Sequence, residues 1–196
     1  MDRNFTAYQD HVDSYLMFLN GGITGGLNPE QRAHNFQKFL KSGKVLEIGS
    51  GVGLDAIELE KLGFEVIPTD FVDSFINLMK EKSLSPLKFD AKYELLPMFN
   101  LEGVFANAVF VHFNKNDLEF CSENIFIALK QNGILFFSVM QGSGSEISNK
   151  MNGIEREFFY YQKEDLIELL EKVGFQVLEI TENVDNRWIH VYAKRP

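Results

Sequence analysis

Glu47 stands two residues ahead of a glycine run, Gly49, Gly51 and Gly53 with Ser50 and Val52 between them, and a helix-like stretch from Leu54 to Leu62 follows at once. Each glycine can take dihedral angles closed to other residues, and the missing side chains let a ligand lie against the backbone. The first amides of the following helix have no intrahelical partner and would face that ligand, so the bend can receive an anionic group. The Glu47 carboxylate suits an amino group nearby and would repel a pyrophosphate held close to it. A methionine-derived nucleoside cofactor meets both conditions. Dinucleotide sites use a related loop, but their G-x-G-x-x-G pattern wants Gly or Ala where this chain has Leu54. A glycine turn that merely packs a strand on a helix is the plain alternative.

The elements that would position these residues alternate in type. Val45, Leu46 and Ile48 form a short apolar run of the kind buried on both faces of a parallel sheet. Similar runs predict strands at 44–48, 64–69, 86–89, 104–110 and 133–140, and amphipathic segments predict helices near 54–62, 72–82, 115–130 and 163–173. Such alternation implies right-handed crossovers and a doubly wound α/β fold with a mostly parallel sheet. After the helix closed by Gly174, runs at 175–180 and 188–193 predict a final hairpin. Ahead of the glycine loop, segments 4–19 and 29–41 read as N-terminal helices separated by Gly21-Gly22 and Gly25-Gly26. The first carries an apolar stripe of Phe5, Tyr8, Val12, Tyr15, Leu16 and Leu19, and the second opens on Asn28-Pro29. No repeat or linker is visible, so 1–196 is expected to be a single domain. Residues 1–43 would be a helical lid and substrate region, and 44–196 a core with an insertion at 141–161 over the site.

A net charge of −9 disfavours nucleic acid as a partner, since its binders usually carry a basic footprint. A small-molecule substrate is the expectation. The single cysteine, Cys121, excludes an intrachain disulfide and fits a reducing cytoplasm. The chain start lacks a secretory pattern and the longest apolar stretch, around Ile134 to Met140, is too short for a bilayer, so no membrane insertion is expected. No His/Cys/Asp/Glu group has metal-ligand spacing, and no metal is expected. Some of the 19 Phe rings are expected to line a ligand pocket, with core packing the default for each.

In order and spacing, Val45 to Gly53, Gly63 to Asp70, Phe89-Asp90-Ala91, Gly103 to His112, Gly133 to Ser138 and Glu171 to Phe175 resemble a class I S-adenosylmethionine-dependent methyltransferase. The resemblance runs from about residue 40 to 194 and is most similar to the small-molecule branch related to ubiquinone and menaquinone biosynthesis methyltransferases. It implies a Rossmann-like, seven-stranded sheet whose last strand is antiparallel, consistent with the final hairpin. It also implies S-adenosyl-L-methionine as cofactor, leaving S-adenosyl-L-homocysteine. Glu47, Gly49, Ser50, Gly51 and Gly53 would hold the methionine end. Asp70, seventeen residues after Gly53, would accept the ribose hydroxyls with Phe71 beside it, a role compatible with capping the helix near Val72. Asp90 would contact the adenine amino group with Ala91 beneath the base; a solvated loop aspartate is the alternative. Asn107 would sit on the sheet's carboxyl edge, where ligands collect. Glu102 is a departure, because many relatives have Asp before the glycine of that strand.

Methyl transfer from a sulfonium is an in-line displacement, so the protein's main task is to hold the partners aligned and dry. A hydroxyl or ammonium acceptor also needs a base, for which His112 is the candidate. A structural histidine, capping the helix near Asn114 or packing by the adenine, is the rival. The acceptor would meet the leading helix and the segment after the fifth strand: Tyr8, His11, Tyr15, His112, Arg156 and Tyr160. His11 also reads as a surface residue. Arg156 could grip a substrate carboxylate or pair with exposed Glu155 or Glu157. Gly142, Gly144 and Gly153 suggest a mobile flap over the ligands. Two rivals stay open: an NAD(P)-dependent oxidoreductase or epimerase, and a cofactor-binding regulator without catalysis. Monomer and homodimer are both compatible with the sequence.

Overall fold

The computed structural model describes residues 3–20, 26–98, 100–183 and 187–196. Gly21, Gly22 and Gly25, expected to separate the leading helices, lie outside them. Among the described residues the sheet has nine strands, seven of them in the doubly wound body. Strands β1 (Lys44–Ile48), β2 (Glu65–Asp70), β3 (Leu87–Lys88), β4 (Leu101–Ala106) and β5 (Leu129–Gln141) pair in parallel in the order β3-β2-β1-β4-β5. Beyond β5 comes the last strand, β9 (Trp188–Lys194), antiparallel to both β5 and its outer neighbour β8 (Gln176–Asn183).

The sheet is covered on both faces, as its near-continuous apolar strands require. On one face Leu118, Cys121 and Ile125 of α6 (Lys115–Ala128) and Leu166, Leu169 and Leu170 of α7 (Lys163–Val173) pack on Leu46, Leu135 and Phe137. On the other, Ala33 and Phe36 of α3 (Pro29–Phe39) and Leu59 of α4 (Leu54–Lys61) pack on Val45, Phe105 and Phe136. The start of α3 is fixed locally: Asn28 and Gln31 form a reciprocal capping box around Pro29.

Three elements differ from the sequence reading, each for a local reason. The segment read as one helix over 4–19 is two, α1 (Arg3–Asp10) and α2 (Val12–Asn20), broken at His11. The stripe survives the break, and Phe5, Tyr8, Val12, Tyr15, Leu16 and Leu19 all pack on Val52, Val72 and Phe75, the last on α5 (Asp73–Glu81). β4 ends at Ala106 and not at 110, because Ala108 turns into the left-handed region (φ 56°) and a single 3-10 turn follows over Phe110–His112. Ser138 Oγ accepts from the Ala108 amide at 2.8 Å, satisfying an N–H that has left the ladder.

The segment 141–161, where the glycines suggest a flap, is a hairpin whose register shifts once, between Ser148 and Met151. β6 (Ser145–Met151) and β7 (Ile154–Tyr161) pair antiparallel, and β7 extends the end of β5 at Met140 and Gln141. The turn carries positive φ at both central residues, Asn152 (51°) and Gly153 (80°), as a type I′ turn demands. Alternation then places Glu146, Ser148 and Lys150 of β6 on the same side as Arg156, Phe158 and Tyr160 of β7, and all six line one cavity.

Candidate active site

The cavity, of about 310 Å³, lies at the carboxyl edge of the sheet, where β1 and β4 hand over to their following segments. Its floor is the glycine loop, stitched to β2. Ser50 N donates to Thr69 O (2.8 Å), Thr69 N to Ser50 Oγ (3.1 Å), and Thr69 Oγ1 to Glu47 O (2.7 Å). At Gly49 (φ 65°) a Cβ would come within 2.3 Å of Val109, and at Gly53 (φ 77°) within 2.4 Å of Leu84, so both positions exclude side chains by conformation and by space.

Asp70 joins the loop to the second strand with both oxygens. Oδ2 accepts from Gly51 N at 2.9 Å and Oδ1 from Val72 N at 3.0 Å. Each carboxylate oxygen has a further lone pair, and Asp70 lines the cavity, so acceptor capacity is left for ligand hydroxyls. Burial pushes the Asp70 carboxyl up to about 6 against the opposing pull of the amides of Val72, Gly51 and Phe71. Glu47 is buried behind the loop, and its Oε2 has no hydrogen-bond partner. Burial first, then the charge of Asp55, pushes Glu47 up to about 8. A buried acceptor of this kind is best satisfied by a positive ligand group.

Beside the loop, Arg32 of α3 grips Asp55 in the first turn of α4 through two bonds, Nε–Oδ1 at 2.8 Å and Nη2–Oδ2 at 2.9 Å. The planar fork and planar carboxylate match, and the pair lies almost fully buried on the cavity wall. Burial still raises the Asp55 carboxyl, against the guanidinium that lowers it. Asn107, held by Ser138 Oγ at 2.8 Å, completes this polar side.

The opposite end is built from three separate elements. His112 Nδ1 lies 2.7 Å from the carbonyl of Glu157, which can only accept, so in the neutral ring Nδ1 carries the proton and Nε2 faces Tyr8 Oη at 2.9 Å as acceptor. Tyr8 Oη in turn receives a bond from Arg156 Nη1 at 3.2 Å. A directed chain results: guanidinium to phenol, phenol to imidazole, imidazole to carbonyl. Burial raises the Tyr8 phenol above its ordinary value while Arg156 lowers it, and burial takes Tyr15 far above that range. The frame is tied by Asn4 of α1, whose side chain donates to Glu157 O (3.1 Å) and accepts from Glu157 N (2.8 Å), as a neighbouring strand would.

The structure therefore brings Gly49, Ser50, Gly51, Asp70, Phe71 and Asn107 to the cavity together with Tyr8, Tyr15, His112, Arg156 and Tyr160. It does not bring Glu47, Gly53, Asp90, Ala91 or His11 to its wall. His11 is exposed at the break between α1 and α2. Asp90 closes a turn, its Oδ1 accepting from Lys92 N and its amide donating to Glu94. Arg156 takes neither acidic neighbour: Glu155 pairs with Arg3 on the other side of β7. Asn4, Arg32, Asp55, Phe18 and Trp188 were not anticipated. Only Asp55 carried a sequence signal, an acid in the first turn of the helix after the glycine loop. Among the described residues no group of three or more His, Cys, Asp or Glu could hold a metal ion, and no helix is long and apolar enough to cross a membrane.

Residues 26–180 match a family described as a methyltransferase domain. No curated protein is significantly similar in sequence. Among solved structures, the CcbJ methyltransferase from Streptomyces caelestis superposes with a TM-score of 0.77 at 15% identity, covering 96% of this chain and 98% of that one. A TehB-like S-adenosylmethionine-dependent methyltransferase from Corynebacterium glutamicum gives 0.72 at 17%, covering 97% and 99%. The glycopeptide N-methyltransferase MtfA, solved with S-adenosylmethionine, gives 0.71 at 14%, covering 89% and 97%. With four-fifths of its length inside that family match and a doubly wound sheet ending in an antiparallel strand, the chain belongs to the methyltransferase-domain family, with the class I fold of S-adenosylmethionine-dependent enzymes.

Proposed function

We propose that the protein moves a methyl group from S-adenosylmethionine to a small-molecule acceptor, both held in the cavity between the glycine loop and the β6–β7 hairpin. One observation carries the reading: a single cavity has a glycine floor and a buried carboxylate at one end, and an aromatic pocket with a directed proton chain at the other. The residues fit the cofactor. Asp70 has spare acceptor capacity for ribose hydroxyls, Phe71 and Asn107 line the same cavity, and Glu47 Oε2, off the cavity wall, is a buried acceptor without a partner that an ammonium reaching it would relieve. When bound, S-adenosylmethionine supplies an electrophilic methyl on a positively charged sulfur.

The chain's own groups then orient and deprotonate the acceptor. Tyr8, Tyr15, Phe18, Phe75, Phe158 and Trp188 give an apolar wall that excludes water, and alignment of this kind contributes roughly 7–11 kcal/mol in favourable cases. Because His112 Nε2 is engaged by Tyr8, a proton leaving the acceptor is taken by Tyr8 Oη as the phenol proton passes to Nε2. The imidazolium so formed keeps its Nδ1 bond to Glu157 O. An acceptor without an acidic proton needs only the alignment. The test is turnover of S-adenosylmethionine to S-adenosylhomocysteine against a metabolite library. Product with at least one small acceptor is expected; a thermal midpoint raised by NADH and not by S-adenosylmethionine would overturn the reading.

A further inference from the structure

Among the described residues, the acceptor end of the cavity holds one buried cation and no buried anion. Arg156 is 4% exposed and lines the cavity; Nη1 donates to Tyr8 Oη, and Nε has no hydrogen-bond partner. A guanidinium keeps its charge at any physiological pH, so burial cannot be relieved by losing a proton. Buried charges are normally paired. Among the described residues, Glu155 pairs with Arg3, Asp55 pairs with Arg32, and Glu146, exposed on the cavity wall, accepts from the Tyr160 hydroxyl at 2.8 Å. What surrounds the guanidinium carbon instead is rings, Phe18 at 5.0 Å, Phe158 at 5.1 Å and Tyr8 at 5.7 Å to their centroids. Ring faces attract the cation but accept none of its in-plane N–H bonds. The plane of the fork is left for a ligand.

We propose that the methyl acceptor is a small carboxylate with a flat apolar body, its carboxylate held by Arg156 and its body lying among the Phe18, Phe158 and Trp188 side chains. This deepens the methyl-transfer reading and rests on it. One guanidinium neutralises a monoanion, whereas a phosphate dianion asks for a second buried cation, and among the described residues Arg156 is the one buried cation at this end. Among the described residues on the cavity rim, Lys150 and Arg187 outnumber the one exposed acid, Glu146, and add positive potential there on a chain whose net charge is −9.

The experiment uses the whole chain saturated with S-adenosylhomocysteine. Benzoate, phenylacetate and cinnamate are titrated beside their neutral amides and phenyl phosphate, by thermal shift and calorimetry. Carboxylates are expected to raise the midpoint and the amides to leave it unchanged. Arg156→Gln should weaken carboxylate binding about tenfold or more while S-adenosylhomocysteine affinity stays within about twofold, and Arg156→Lys should fall between. Amides that bind as well as the acids overturn the inference. So does phenyl phosphate binding in their place, or a Gln variant that loses S-adenosylhomocysteine in step, which would put the guanidinium on the cofactor's own carboxylate. Should the Gln variant not fold, the acid–amide comparison on the parent decides alone. Turnover confined to neutral acceptors would overturn the inference and spare the methyl-transfer reading. Carboxylate binding through Arg156 with no turnover of any acceptor would do the reverse.

Discussion

Asp70→Asn separates the charge of the β2 carboxylate from its shape. The folded protein holds this carboxyl near pH 6 against an ordinary value of 3.8. A carboxyl whose folded pKa is raised binds its proton more tightly in the folded state. Its contribution to stability is therefore full below about pH 4 and lost as pH rises through about 6. The two values imply a loss of about 3 kcal/mol for the cofactor-free parent. Asn cannot ionise and escapes that loss, but its NH2 must face one of the two amides, Gly51 N or Val72 N, at a fixed cost of about 1–3 kcal/mol. Urea unfolding without cofactor should show the variant gaining about 2 kcal/mol relative to the parent between pH 4 and pH 7, whatever the fixed cost. Cofactor affinity should move the other way, falling about tenfold or more at pH 7, because charge-assisted bonds of about 1.5–3 kcal/mol to the ribose are weakened. A stability gap independent of pH, or a variant that binds S-adenosylmethionine as tightly as the parent, would refute the account of Asp70.

Two further outcomes test the loop. Gly53→Ala adds a Cβ 2.4 Å from Leu84 Cδ1 at a residue with φ 77°, so left-handed strain and overpacking together should cost about 2–5 kcal/mol, read as a lower denaturant midpoint with unchanged slope. Glu47→Gln removes a carboxyl held near 8 in the folded protein against an ordinary 4.5, so between about pH 4.5 and 8 the unfolded parent has shed a proton that the folded parent keeps. The parent should lose stability across that window while the variant keeps it, with the gap constant above about pH 8, and S-adenosylmethionine affinity should fall in calorimetry.

What could be read in the sequence was local. The glycine loop, the Asn28-Pro29 helix start and the apolar stripe of α1 and α2 are each set by neighbours a few residues away, and each took the expected form. The hairpin over 145–161 was not among the expected elements, although Asn152-Gly153 is a strong two-residue turn signal. The polar pairs were not legible. Arg32 meets Asp55 across 23 residues, Tyr8 meets His112 across 104, and Asn4 meets Glu157 across 153. No periodicity records which of many charged and polar residues will face one another once the sheet closes. His112 shows the limit well. Its position at the strand edge was readable, but its partner arrives from the first helix, and that partner makes it an acceptor from a phenol.

Glu157 has a consequence of its own. The peptide group there joins α1, the 3-10 turn and β7 through its N–H and C=O, while its carboxylate takes no part in those bonds. A junction made of main-chain atoms is indifferent to most side chains, and only an imino acid at that position would unfasten it. The inward residues one step away on the strand, Arg156 and Phe158, can then be exchanged for others without loosening the joint. A lineage could retailor the molecules it accepts at those two sites while the architecture that aims them stays in place.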